Sequence, residues 1–187
     1  MNLRNLTWKL NWYRQGELEG SLLLGKMVRI TDEPALVAPL TRHCADEARH
    51  ASLWADCVAE LGLPVLRILR SYQSFYAEHG GIPGSVPEAL ALTHVFEKRV
   101  WKQFQQELSE PGLPPPVTAC LRTLLDDERQ HLDWVHRWLS NRADGPDLLK
   151  RFARIDEHVY ASLAPYEDCI WNIPGLGEEL QRPPPAG

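Results

Sequence analysis

The segment 34–58 reads PALVAPLTRHCADEARHASLWADCV, and its pattern decides the fold. Its apolar residues recur every three or four positions, which is the spacing of one face of an α-helix. These residues are Leu36, Leu40, Cys44, Trp54 and Val58. Glu47 and His50 interrupt that face in its middle. The pattern therefore predicts a helix that turns an acid and a histidine towards the protein core.

The segment 117–139 repeats this arrangement. Its apolar face consists of Val117, Leu121, Leu124, Val135 and Leu139. Glu128 and His131 lie in the middle of that face, again as Glu-x-x-His. Because residues three apart are neighbours on a helix surface, both side chains of each motif point the same way. Two helices are thus predicted to bury a Glu-x-x-His motif each.

Two further helical segments each contribute a lone inward carboxylate. Glu97 lies at the centre of the apolar face of one of them, with His94 one turn earlier on the same face. In the first segment, periodicity leaves Glu17 and Glu19 as alternatives, because each is flanked by an apolar stripe of its own.

Spacing along the chain distinguishes the two alternatives. The two Glu-x-x-His motifs are 81 residues apart, glutamate to glutamate and histidine to histidine. Glu17 precedes Glu97 by 80 residues, whereas Glu19 precedes it by 78. Glu17 completes the repeat better, so the chain resembles two helix pairs that carry the same chemistry.

The rest of the chain also shows helical periodicity, and no run alternates with a period of two. We expect an all-α four-helix bundle with an additional C-terminal helix. Residues 1–165 would form the helical domain, and 166–187 an irregular C-terminal tail. The predicted bundle helices are 8–30, 34–61, 87–108 and 117–140, with a short helix or a continuation of the second one at 65–77 and the C-terminal helix at 147–163.

Composition excludes several classes of protein. The 187 residues carry 25 acidic and 20 basic side chains, a net charge of −5, so a nucleic-acid partner is not expected. No apolar run is long enough to span a membrane and no secretory signal is evident, which predicts a cytoplasmic protein without a membrane partner. The four cysteines form no CxxC pair, which argues against a zinc ribbon or a disulfide framework.

The predicted carboxylate cluster requires compensating positive charge. Four buried carboxylates lose their solvation and repel one another, so cations are expected among them. A ligand set of carboxylate oxygens and imidazole nitrogens is typical of iron or manganese sites. Structural zinc sites use thiolates more often. The expected cofactor is a pair of Fe ions, with Mn as the alternative.

These motifs resemble the ferritin-like di-iron carboxylate superfamily over residues 10–139. The resemblance lies in GELEGSLLLGKM (16–27), EPALVAPLTRHCADEARH (33–50), THVFEKRVW (93–101) and DDERQH (126–131). The first helix pair is similar to that of rubrerythrins. DEARH resembles an element of bacterial multicomponent monooxygenases, in which the Asp and the Arg support the metal site. The resemblance implies a ferritin-like bundle.

The resemblance also implies which residues bind metal: Glu17, Glu47, His50, Glu97, Glu128 and His131. His94 stands where rubrerythrins have an additional glutamate, which makes it a seventh candidate ligand. The chain departs from rubrerythrins in lacking a rubredoxin-like cysteine module and in having Leu24 where an aromatic residue is expected. DDERQH also has no counterpart of Arg49.

The function that this resemblance implies is a di-iron oxidoreductase. It would activate O2 or peroxide to oxidise or hydroxylate a small organic substrate, with a ferredoxin or reductase as external electron donor, and a homodimer is compatible with it. The alternatives are a ferroxidase or other iron-handling protein, and a non-catalytic helical module.

Several other residues stay open at this stage. Asp46 and Asp127 are either hydrogen-bond partners of the motif histidines or ordinary surface acids. Tyr13 and Trp54 are core residues or electron-transfer residues. The remaining histidines, His43, His79, His136 and His158, receive no role.

Overall fold

The structure is a computed structural model that describes the backbone of residues 3–170 and the side chains of residues 3 and 6–161. Every regular element in this part of the chain is a helix, which confirms the all-α class. The helices are α1 (Leu3–Ile30), α2 (Pro34–Glu60), α3 (Tyr72–Gly80), α4 (Val86–Leu108), α5 (Pro115–Ser140) and α6 (Gly145–Ile170).

Four of these helices form an all-helical bundle. α1 packs along α2, α4 packs along α5, and the two pairs meet through contacts of α2 with α5 and of α1 with α4. α6 lies against α4 and α3. The bundle thus joins the two helix pairs that the repeated spacing of acids and histidines predicts.

Local sequence signals explain where the bundle helices begin. Pro34 and Pro115 open α2 and α5, where the missing amide hydrogen of proline costs nothing. The hydroxyl of Ser85 accepts a hydrogen bond from the amide of Glu88 and so caps α4. At the end of α2, Gly62 has a φ of 65°, which favours glycine.

The structure differs from the sequence prediction in the bounds of α3, in the start of α1, which begins at Leu3 rather than at 8, and in the bounds of α6. α3 is a separate helix that begins at residue 72, where Ser71 and Ser74 form a reciprocal cap. α6 spans Gly145–Ile170 and is therefore longer than the C-terminal helix predicted at 147–163. The rest of the predicted tail, 171–187, lies outside the described residues.

Two apolar clusters occupy the core, one on each side of a polar layer. One includes Leu24, Met27, Leu40, Leu90, Val135 and Leu139. The other includes Leu10, Trp54, Val58, Phe104, Leu121 and Leu124. The Glu-x-x-His motifs lie in α2 and α5 between residues of the two clusters, so packed side chains separate the polar layer from solvent on both sides.

The described residues also show the apolar length of the helices and the state of three cysteines. No helix within residues 3–170 is both long and apolar enough to cross a membrane. Cys44, Cys57 and Cys120 are free thiols, as the spacing of the cysteines predicts.

Candidate metal centre

Seven ionisable side chains from the four bundle helices converge in the polar layer. None of them is more than 8% exposed. α1 and α4 contribute one carboxylate each. α2 contributes one carboxylate and two histidines, and α5 contributes one carboxylate and one histidine. The seven residues are Glu17, His43, Glu47, His50, Glu97, Glu128 and His131.

These side chains form two overlapping groups that can each hold a metal ion. One group is His43, Glu47, Glu97 and His131, and the other is Glu17, Glu47, His50 and Glu128. Within each group, one ligand atom from every residue lies within 4.8 Å of the others. Glu47 belongs to both groups, so its carboxylate is the one that they share.

Glu128 also faces both motif histidines. Its Oε1 lies 3.5 Å from Nδ1 of His50, and its Oε2 lies 3.7 Å from Nδ1 of His131. Nδ1 of His131 is in addition 3.3 Å from Oε1 of Glu47. The inward nitrogen of both motif histidines is therefore Nδ1, and both are directed at shared carboxylates.

The outward nitrogens of the same two histidines are held by aspartates. Nε2 of His50 lies 3.1 Å from Asp127, and Nε2 of His131 lies 3.3 Å from Asp46. Each aspartate thus binds the histidine of the other motif. Arg49 donates to Asp127 at 2.7 Å and to Asp46 at 3.3 Å, which joins the two pairs.

This arrangement resolves the alternatives left open for the two aspartates, because both bind a motif histidine. Although partial burial opposes ionisation, Arg49 and His50 hold the pKa of Asp127 below its ordinary value. A carboxylate that accepts a hydrogen bond from Nε2–H orients the imidazole and leaves Nδ1 as the nitrogen that could bind a cation at the centre.

Burial and mutual contact shift the pKa values of the cluster. Burial raises the pKa of Glu17 to about 8 and that of Glu97 to about 7. Burial opposes charging of His50, but Glu128 and Glu17 raise its pKa to about 11. For His131, Glu128 and Glu47 overcome the same penalty and raise the pKa to about 12. The metal-free cluster therefore retains protons, which bound cations would displace.

The donor set fits divalent metal ions. Buried atoms without a hydrogen-bond partner include Nδ1 of both motif histidines and oxygens of three carboxylates, namely Glu47, Glu97 and Glu128. Such atoms are costly to bury unless something binds them. Carboxylate oxygens combined with imidazole nitrogens are suitable ligands for iron or manganese. The cluster is compatible with a di-iron site.

The structure brings together six of the seven residues predicted as ligands, but not His94. That residue belongs to neither group. Its ring stacks on that of His136, with 5.4 Å between centroids, and its Nδ1 is buried without a hydrogen-bond partner. The choice of Glu17 over Glu19 agrees with the geometry, since Glu19 binds Ser71 and Gln15 instead.

Sequence reasoning missed His43. Its Nε2 lies 2.7 Å from Oε1 of Glu97, in an orientation that does not meet hydrogen-bond geometry, and 3.3 Å from Oε1 of Glu47. Its ring lies 3.7 Å from that of His131, centroid to centroid. Burial opposes charging of His43, but Glu97 and Glu47 raise its pKa to about 9. The available signal was helical position, because residues 43, 47 and 50 share one face.

The two sides of the cluster differ in character. A cavity of about 210 Å³ between α1, α3 and α4 reaches Glu47 and Glu97. A smaller cavity of about 70 Å³ borders Glu17 and Glu128 as well. The walls of both are mainly apolar. The opposite side, at α2 and α5, is a polar groove lined by His43, Asp46, Arg42, Asp127, His131 and Arg137, among others.

No protein-family model matches the chain, and no curated protein matches it. The convergence, burial and unpartnered atoms of the seven residues are what indicate a metal centre.

Proposed function

We propose that this protein is a di-iron carboxylate oxidoreductase that activates O2 or peroxide to oxidise or hydroxylate a small organic substrate. The observation that supports the proposal most strongly is the pair of buried donor groups that share Glu47. Inward-facing glutamates combined with Glu-x-x-His motifs on neighbouring helices are typical of di-iron sites in helical bundles.

The two groups assign the residues that would hold the cations. His43, Glu97 and His131 would bind one ion, Glu17, His50 and Glu128 the other, and Glu47 both. Four ionised carboxylates balance the charge of two divalent ions. Bound ferrous ions supply the electrons for the reduction of oxygen, which amino-acid side chains do not provide.

The side chains around the cluster position these ligands. Asp46 and Asp127 accept hydrogen bonds from the outward nitrogens of the motif histidines, and Arg49 ties the two aspartates together. Nε1 of Trp54 donates to Oε1 of Glu17 at 3.4 Å and orients that carboxylate. These contacts fix the geometry before a cation arrives, which lowers the cost of binding it.

The apolar cavities on the α1 and α4 side would admit oxygen and substrate and keep bulk water away from the reacting atoms. Electrons for repeated turnover would come from an external ferredoxin or reductase. The polar groove lies on the opposite side of the cluster, so donor and substrate would approach from different directions.

Metal analysis tests the proposal directly. The protein is loaded anaerobically with Fe(II), freed of excess iron and analysed for metal by mass spectrometry, and the optical spectrum is followed after O2 is added. We expect about two irons per chain and a transient absorption change. Glu128→Ala should lose iron, whereas Asp126→Ala, on the exposed side of the same helix, should retain it.

Other results would favour the alternatives. Tens of ferric ions per chain in a large assembly would indicate iron storage. A folded protein that takes up no iron would indicate a helical module in which protons, held on Glu17 and Glu97, replace the cations.

A further inference from the structure

We propose that the 210 Å³ cavity between α1, α3 and α4 binds a neutral, single-ring aromatic molecule that carries one hydroxyl or amino group. We assign this molecule as the substrate class of the metal centre. The assignment as substrate rests on the proposed function, whereas the binding site itself rests on the cavity and its walls.

The size and lining of the cavity favour an aromatic ring. Three aromatic side chains contribute to its walls, together with several leucines: Tyr72, Tyr76, Phe96, Leu23, Leu24 and Leu92. An engineered apolar cavity of roughly 150 Å³ in another protein holds benzene. A volume of about 210 Å³ therefore suits one ring with a small substituent.

The charged side chains around the cavity disfavour an anionic ligand. All the charged side chains that line it are acids, namely Glu19, Glu47 and Glu97. Glu19 already accepts hydrogen bonds from Ser71 and from Gln15, and the other two carboxylates belong to the donor groups. With both cations bound, the four carboxylates of the centre are neutralised, so a neutral ligand meets no uncompensated charge there.

Among the described residues of the wall, and apart from Glu47 and Glu97 of the donor groups, Gln73 has a buried polar atom without a hydrogen-bond partner. Nε2 of Gln73 donates to the carbonyl oxygen of Gly16 at 2.9 Å, which fixes the orientation of the amide. Oε1 of Gln73 is buried and has no hydrogen-bond partner. A hydroxyl or amino group on the ligand would supply the missing donor, and an unmade hydrogen bond at a buried acceptor is costly.

The same cavity connects this anchor with the metal centre. Gln73 and Gly16 line it together with Glu47 and Glu97. A ring whose hydroxyl or amino group binds Gln73 therefore lies in the cavity that Glu47 and Glu97 also line. Access is through the exposed segment around Ala77, Gly81 and Ile82, which lines the same cavity.

Calorimetric titration of phenol and toluene into the full-length chain tests this site. The two probes have similar size, but only phenol can donate to Gln73. We expect both to bind, and Gln73→Leu to weaken phenol about fivefold while changing toluene less than twofold. Gln105→Leu, at an exposed glutamine of α4, is the matched control and should change neither.

A second variant tests the location without removing the anchor. Ala77→Trp places a bulky side chain at an exposed position of the cavity lining, and should weaken both probes at least tenfold. Ala59→Trp, at an exposed position of α2, should bind both as the parent does. Failure of the parent protein to bind either probe, or equal affinity of Ala77→Trp and the parent, would overturn the proposal.

Iron content measured on the same samples separates the two proposals. Iron uptake without probe binding contradicts the cavity assignment alone. Probe binding without iron uptake supports the binding site and contradicts the proposed function.

Discussion

Gly20 lies directly against the carboxylate of Glu47. A Cβ atom at this position of α1 would lie 2.8 Å from Oε2 of Glu47, closer than such atoms approach in proteins. The missing side chain therefore leaves room for the carboxylate that both donor groups share.

We expect Gly20→Ala to displace the Glu47 carboxylate and to weaken metal binding about tenfold. Gly25→Ala is the control, because its Cβ would make an ordinary 3.5 Å contact with Sγ of Cys44. Both changes favour the helix by roughly 1 kcal/mol, so their thermal stabilities should be similar. Competition with a chelator measures the affinities, and parent-like affinity in Gly20→Ala would contradict this role.

His94 is the second residue whose role a variant can decide. Burial, together with His136 and Lys98, lowers the pKa of His94 to about 4. Because the folded protein favours the neutral imidazole, its stabilising contribution is complete above pH 6.5 and is lost as the pH falls from 6.5 towards 4.

His94→Gln should therefore reduce the loss of stability of the metal-free protein between pH 7 and pH 5 by about 1 kcal/mol, after allowance for solvent screening. Urea unfolding at the two pH values measures this difference. The variant should also bind as much iron as the parent. A loss of iron would restore the ligand role that the sequence suggested for this residue.

At the scale of helices, the contact between α2 and α5 orients both motifs at once. Asp127 of α5 holds His50 of α2, and Asp46 of α2 holds His131 of α5. Asp127→Asn should weaken iron binding by about 10–100-fold with little loss of stability. Asp133→Asn, at an exposed position of the same helix, should have no effect. If the two variants bound iron equally, the aspartate would not position the histidine.

A second contact between helices joins α1 to α4 outside the polar layer. The hydroxyl of Tyr13 donates to Oε1 of Glu107, which Lys9 also approaches to 2.7 Å. Glu107 is only 6% exposed, so a lost hydrogen bond is not replaced by water. Tyr13→Phe should lower the free energy of unfolding by about 1–2 kcal/mol, as measured by urea denaturation. An unchanged midpoint would show that the ion pair with Lys9 suffices.

The helices differ in how far the sequence predicts them. The four bundle helices each bury an apolar stripe, so periodicity locates them to within a few residues. The nine residues of α3 are too few for a clear period, and packing against α6 determines their place. Each aspartate contacts the histidine of the opposite motif across the interface between α2 and α5. The sequence of one helix does not give the distance to another, so these contacts could not be predicted.

The sequence predicts those site residues whose positions follow from their spacing along the chain. The two Glu-x-x-His motifs and the two lone glutamates follow from helical faces and from the repeat of about 80 residues. His43 lies on the same face as Glu47 and His50, but it becomes a candidate only when Glu97 of another helix is found beside it. The resemblance placed His94 at the site, whereas the structure directs its ring towards His136.

Across the whole molecule, the bundle separates two environments around one centre. Apolar cavities border the carboxylates on the α1 and α4 side, and a polar groove borders the histidines on the α2 and α5 side. The two apolar clusters close the remaining directions. In the proposed function, this division would give a substrate and an electron donor separate routes to the centre.

The two buried donor groups share one carboxylate, Glu47, which we expect to bind two metal ions. The iron-to-protein ratio after anaerobic Fe(II) loading tests this role, measured on the parent, on Glu47→Ala and on Glu19→Ala, with circular dichroism to verify folding. We expect about two irons in the parent and in Glu19→Ala, and loss of both ions in Glu47→Ala. A folded Glu47→Ala protein that retains two irons, or a parent that binds none, would contradict this role for Glu47.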